Sequence, residues 1–197
     1  MTNRKPTDVR RTEIADAALH VVATRGIAAL STRVLADAVG LTTGALFKHF
    51  PNRDAMLLGM AERVYELLQA TYPDAVLPPR ERLHQFAEAR LTLVSGTAGV
   101  LTLVLSEQFA LALPDDAVRV LRAAISQTHA FVAGAIRDGQ ADGSIRADVP
   151  AEALALLFMG ALQMTALARR TRAVAGTPHA VEALDVLFRP SLTLEKP

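Results

Sequence analysis

Within Leu30–Phe50, LSTRVLADAVGLTTGALFKHF, six side chains could meet a polyanion: Thr32, Arg33, Thr42, Thr43, Lys48 and His49. Hydroxyls and cations of this kind donate to phosphate oxygens, and the small Gly44 and Ala45 among them let a backbone come close to base edges. No Asp or Glu lies in 41–53, so nothing in that stretch repels a nucleic acid. Two short helices must present these residues. The first starts where Ser31 or Thr32 accepts a bond from an orphan backbone N–H, and it ends at Gly40, a residue suited to a left-handed terminus. After Leu41 the second starts at Thr42 or Thr43 and runs to Phe50, where Pro51 stops it. Leu35, Ala38, Val39, Leu41, Leu46 and Phe50 form the inward side that packs the pair. Two short helices about a glycine turn read as a helix-turn-helix, whose second helix can enter a DNA major groove. A solvated helical hairpin would share the pattern.

The longer segment LSTRVLADAVGLTTGALFKHFPNRDAML resembles the N-terminal DNA-binding segment of the TetR family of bacterial transcriptional regulators. The features that carry the resemblance are a capped T-x-x-x-L-A-x-x-x-G helix from Thr32 to Gly40 and a small-residue recognition helix from Thr42 to Phe50. Arg53 follows three positions later, and the match spans roughly residues 8–60. Arg33 resembles the arginine near the start of the family's second helix, and a guanidinium can bind guanine O6 and N7 in bidentate fashion. Base contacts are therefore expected from Arg33, Thr43, Gly44 and Ala45, and phosphate contacts from Thr32, Thr42, Lys48, His49 and Arg53. The family usually has tyrosine where this chain has Phe47, so a contact from Phe47 must be apolar, to a sugar or a thymine methyl. The resemblance also implies a homodimer, held by a C-terminal four-helix bundle, on a palindromic double-stranded operator. A small-molecule effector would bind in the C-terminal domain. The rival readings are an effector-independent regulator or activator, and a helical interaction module that has lost DNA binding.

The bulk numbers agree with an all-α fold. Of 197 residues, 51% are hydrophobic but only 5% aromatic, so leucine, valine and alanine fill the core. Alanine and leucine are strong helix formers, and no alternating β-branched run suggests a sheet. Residues 1–53 hold eight Lys/Arg and four Asp/Glu, a balance of +4. Residues 54–197 hold thirteen and sixteen, a balance of −3. Positive charge thus gathers at the helix-turn-helix end, as phosphate binding requires. With no cysteine there are no disulfides or thiolate metal sites. The start MTNRKPTDVRRTE lacks an apolar core, and Val100–Leu105, read as the most apolar stretch, is too short to span a bilayer, so a cytoplasmic protein is expected with no membrane partner.

Along the chain, a mobile basic arm (1–7) precedes a bracing helix at Asp8–Arg25, with Ile14, Ala17, Ala18, Val21 and Val22 on one face. Asn52 caps a fourth helix that runs to about Thr71 with Leu57, Met60, Val64, Leu67 and Leu68 inward, linking a DNA-binding domain (1–53) to a ligand-binding and dimerisation domain (54–197). Further helices are expected at Arg80–Val94, Ala98–Leu113, Asp115–Gln140, Ala151–Arg172 and His179–Phe188. Candidate pocket residues are Phe86, Phe109, Phe131, Met159, Gln163 and Met164, with Glu107 and His129 as polar anchors. Each alone could equally be core or surface. An apolar surplus on the last two helices suggests a partner subunit through Leu154, Leu157, Phe158, Ala161, Leu162, Leu184, Leu187 and Phe188, with Leu156, Met159 and Leu167 extending the stripe. Burial of both faces within one chain is the alternative. His84 and Glu88 lie one turn apart, but there is no HExxH, phosphate loop or G-x-S-x-G elbow, so catalytic residues, metal ligands and cofactors are all expected to be absent.

Overall fold

A computed structural model describes residues 7–96 and 111–171, together with 186, 188 and 189. Every regular element among the described residues is helical: α1 Thr7–Arg25, a 3-10 turn Ile27–Ala29, α2 Thr32–Ala38, α3 Thr43–Phe47, α4 Arg53–Gln69, α5 Pro79–Gly96, α6 Asp115–Ala141 and α7 Ala151–Thr171. They fall into two compact units, Met1–Ala70 with Gly96–Ala124, and Thr71–Ser95 with Ile125–Pro197, so α6 contributes to both.

In the first unit, side-chain caps start the short helices where the sequence has a hydroxyl or amide. Ser31 Oγ accepts from Val34 N at 3.2 Å, Thr42 Oγ1 from Ala45 N at 3.1 Å, and Asn52 Oδ1 from Ala55 N at 2.8 Å. Gly40 leaves α2 at φ +64°, a conformation that only glycine adopts without strain. α1 packs on α4 and α2, and α2 packs on α3. The core holds Ile14, Ala18, Leu19 and Val22 of α1, Leu35 and Ala36 of α2, Leu46 of α3, and Leu57, Met60 and Val64 of α4. Two details differ from the sequence expectation. Ala36, not Ala38, faces inward on α2. α3 is shorter than expected because the N–H groups of His49 and Phe50 both converge on Leu46 O, at 2.9 and 3.0 Å, closing a tight turn before Pro51.

In the second unit, rings connect the helices. Tyr72 stacks on Phe86 at 5.7 Å and meets Phe131 edge-on at 4.9 Å. Phe86 contacts Phe158 at 6.4 Å, and Phe158 contacts Phe188 at 5.7 Å. The α6–α7 turn is held by Gln140 Nε2, which donates to Arg146 O at 2.9 Å and Val149 O at 2.8 Å. Beside it Ile145 fills the notch left by Gly139. A longer apolar stretch than Val100–Leu105 is Ala151–Arg169 of α7, whose 19 residues could cross a membrane by length and composition alone. One third of that window is buried, and Leu154, Ala155, Phe158, Leu162 and Ala166 turn into the core.

Of the expected helices, Ala98–Leu113 lies outside the described residues except at its end, as does His179–Phe188 except at 186 and 188. Val100–Leu105, Glu107, Phe109, Leu184 and Leu187 lie outside them as well.

Candidate nucleic-acid interface

The residues expected to meet DNA are mostly solvent-accessible. Arg33, Thr42, Thr43, Gly44, Lys48 and Arg53 are exposed, while Thr32, Ala45 and His49 are half-buried. Phe47 is 44% exposed, so its ring stands on the outer side of α3 rather than in the core. At Gly44 an added Cβ would meet nothing within 4 Å, which leaves the outer surface of α3 bare to its backbone. Thr42 spends a lone pair on its cap and keeps its hydroxyl hydrogen for an outside acceptor.

Two partly exposed arginines fix the short helices by hydrogen bonds to backbone carbonyls. Arg11 of α1 donates to His49 O at 2.9 Å, lies 4.7 Å over the Phe50 ring, and stands 4.0 Å from Glu62. Arg53 donates to Leu30 O at 2.9 Å and so ties the start of α4 to the approach of α2. Its guanidinium therefore has a structural partner, with other N–H groups left over. The His49 Nδ1 is buried without a hydrogen-bond partner among the described residues, so its ring is turned partly inward. Phe50 is held against Gly59 of α4, where an added Cβ would come within 2.4 Å of Phe50 Cε1. Sequence reasoning missed Arg11 and Gly59. The only local signal was a basic pair on α1 and a glycine within a helix, neither of which names a partner.

Residues 14–60 match the family model for bacterial regulatory proteins of the tetR family, and residues 76–167 match the tetracyclin repressor-like C-terminal domain. The chain is 30% identical over 159 residues to the HTH-type transcriptional repressor KstR2 of Rhodococcus jostii (strain RHA1), a match that covers 76% of this chain and 74% of that one. The chain belongs to the TetR family. The fold is likewise that of TetR-family structures. AibR, solved in complex with isovaleryl coenzyme A and operator DNA, superposes with a TM-score of 0.75 at 18% identity over 91% of this chain and 97% of its own. A TetR-family regulator from Agrobacterium tumefaciens superposes with a TM-score of 0.77 at 18% identity over 93% of this chain and 100% of its own.

Within the segment that matches the family's C-terminal domain, the structure separates the expected pocket residues. Phe86 and Phe131 meet at 5.3 Å. Phe86 is fully buried, Phe131 and Met159 are half-buried, and His129, Gln163 and Met164 are exposed. His129 therefore does not join the rings as a polar anchor. The polar groups that do join them are Arg90, Thr128 and the Tyr72 hydroxyl. The expected dimer residues divide too. Leu154, Phe158, Leu162 and Phe188 are core residues of their own chain, because the ring chain Phe86–Phe158–Phe188 draws that side of α7 inward. Leu157 stays exposed at 53% and Ala161 half-buried, and the outward stripe runs through Leu156 at 69% and Met164 at 64%. His84 and Glu88 form an exposed pair at 3.8 Å, and no cluster of metal-ligating side chains occurs among the described residues.

Proposed function

We propose that this TetR-family protein is a transcriptional repressor that binds a palindromic operator as a homodimer and is released by a small-molecule effector. The observation that carries the reading is the bare, acid-free outer side of α3, flanked by Arg33, Lys48 and Arg53. Arg33, Thr43, Gly44 and Ala45 are assigned to base edges, and Thr32, Thr42, Lys48, His49 and Arg53 to phosphates. The free hydroxyl hydrogen of Thr42 and the exposure of Lys48 support the phosphate roles, and Phe47 offers an apolar contact.

Symmetry supplies the second half-site. The exposed Leu156, Leu157 and Met164 sit at helical spacing on α7, where a second copy can cover them. The two copies of α3 must then lie about one DNA turn apart, ~34–36 Å or a multiple of it. Residues 1–53 act as the DNA-binding domain and 54–197 as the ligand-binding and dimerisation domain. The effector acts by population shift: it favours an arrangement in which α4 moves and the spacing no longer fits. KstR2 is a named repressor, and AibR has been seen with both an acyl thioester ligand and operator DNA. The first supports repression, and the second supports a DNA-binding role that responds to a ligand.

The test is a salt-dependent mobility-shift assay on the intergenic DNA beside the encoding gene, followed by footprinting. A two-fold symmetric footprint overlapping a promoter, with affinity falling steeply as salt rises, is the expected result. Absence of binding to any such fragment at low salt would remove the repressor reading and favour an interaction module.

A further inference from the structure

Arg90 of α5 is a cation in the core, with only 7% of its surface exposed. Its Nη2 donates to Thr128 Oγ1 at 3.1 Å, and that oxygen lies 2.9 Å from the Tyr72 hydroxyl. The guanidinium lies over the Phe86 ring at 4.9 Å and the Tyr72 ring at 5.5 Å. Its Nε is buried and has no hydrogen-bond partner among the described residues. Tyr72, Phe86, Arg90, Thr128 and Phe131 all belong to one compact unit.

A buried charge is costly unless it is paired and hydrogen-bonded. Ring faces attract a guanidinium but accept little from an N–H lying in its plane. Acids on these helices are engaged elsewhere: Asp138 of α6 binds Arg82 at 2.6 Å and Glu88 of α5 is exposed beside His84, while on α7 Glu152 binds Arg137 at 2.7 Å. Burial pushes the Arg90 pKa below the ordinary arginine value, and the neighbouring Tyr72 hydroxyl offsets part of that effect. What would complete the group is an oxyanion received side-on by Nε–H and a neighbouring Nη–H, the fork that arginine offers to carboxylates and phosphates.

The geometry points to Arg90 as the anchor for an oxyanion head group on an otherwise apolar effector, with Thr128 orienting the guanidinium and the Tyr72, Phe86 and Phe131 rings beside the apolar body. This inference rests on the effector-responsive reading above and gives that effector a chemical class: an amphipathic carboxylate or phosphate monoester rather than a neutral or cationic compound.

The test uses the full-length protein with three probes of equal tail length: octanoate, octyl phosphate and 1-octanol. Calorimetric titration of the wild type should show at least one of the two anions binding tenfold or more tighter than the alcohol, and the arms identify the head group. Arg90→Met, which keeps the apolar volume, should erase that preference. Without ligand it should melt at the same temperature as wild type or higher, because it removes a buried charge that no carboxylate among the described residues pairs. Arg90→Lys should keep part of the preference. Equal binding of all three probes to the wild type, or an undiminished preference in Arg90→Met, would overturn the assignment. A parallel operator-shift assay separates this inference from the one beneath it. Anion binding that leaves operator affinity unchanged keeps the site and removes the effector role. An operator response as large for 1-octanol as for octanoate keeps the effector role and removes the anion site.

Discussion

At Gly44 no packing demand within the chain calls for a glycine, since an added Cβ would meet nothing within 4 Å. In an exposed helix glycine is about 1 kcal/mol worse than alanine, a cost that the proposed approach of α3 to DNA would account for. Gly44→Gln should keep or raise the melting temperature while weakening operator binding tenfold or more, as read by thermal melts alongside fluorescence anisotropy. The roles proposed for Arg33 and Lys48 separate the two kinds of DNA contact. Arg33→Ala should cost about 1–3 kcal/mol and flatten preference at one base position, whereas Lys48→Ala should weaken all sequences alike and lower the salt dependence. Binding measured on a panel of single-base operator variants checks both, and equal loss on every sequence for Arg33→Ala would move it to the phosphate set. These exposed residues were legible from the alternation of apolar and polar positions in 30–50, because a surface role needs only a local pattern. Arg11 and Arg90 were not. What Arg11 does depends on a carbonyl 38 positions away, and what Arg90 does depends on a hydroxyl equally distant in sequence.

The helices themselves were readable because their stops and starts are chemical: Ser31, Thr42 and Asn52 cap, Gly40 turns, and Pro51 ends. Their mutual fit was not, and Gly59 shows why. Its lack of a Cβ matters only because Phe50 arrives from the preceding segment to occupy the space. Gly59→Ala gains helix propensity but forces the Phe50 ring to shift, so it should destabilise by about 1–2 kcal/mol net. It should also weaken operator binding although Gly59 lies on the buried side of α4. Chemical denaturation and anisotropy on the same variant check the two effects. At the start of α7, Glu152 has its carboxyl held below the ordinary 4.5 by a bond from its own backbone N–H, and then by the Arg137 guanidinium. A lowered folded pKa stabilises above the ordinary value, and the contribution fades as pH falls through the folded one. The difference in melting temperature between wild type and Glu152→Gln should therefore be present at pH 6 and shrink as the pH falls below the ordinary carboxylate value.

For the whole molecule, α7 is the element with two tasks. Its inward side, Leu154, Phe158 and Leu162, completes the chain's own core, while Leu156, Leu157 and Met164 face outward. The sequence showed that the helix was too apolar for one face, but the phase of the two faces followed only once Phe86 and Phe188 were seen to claim Phe158. Leu157→Glu should yield monomers in sedimentation velocity with helix content unchanged, and should lose operator binding because a single α3 reaches one half-site. Substitution of Leu154 by Glu should instead unfold the domain, since it puts an unpaired charge in the core. A monomeric Leu157→Glu that still protects a full palindrome would exclude the α7 stripe as the joining surface.

As the proposed joining surface, that outward stripe also sets how the regulator counts itself. While chains are scarce, the occupied fraction of a promoter rises with the square of their number, and once pairing saturates it rises only in proportion. A cell that makes a few more copies near this crossover therefore moves sharply from an open gene to a closed one, before any metabolite has entered the protein.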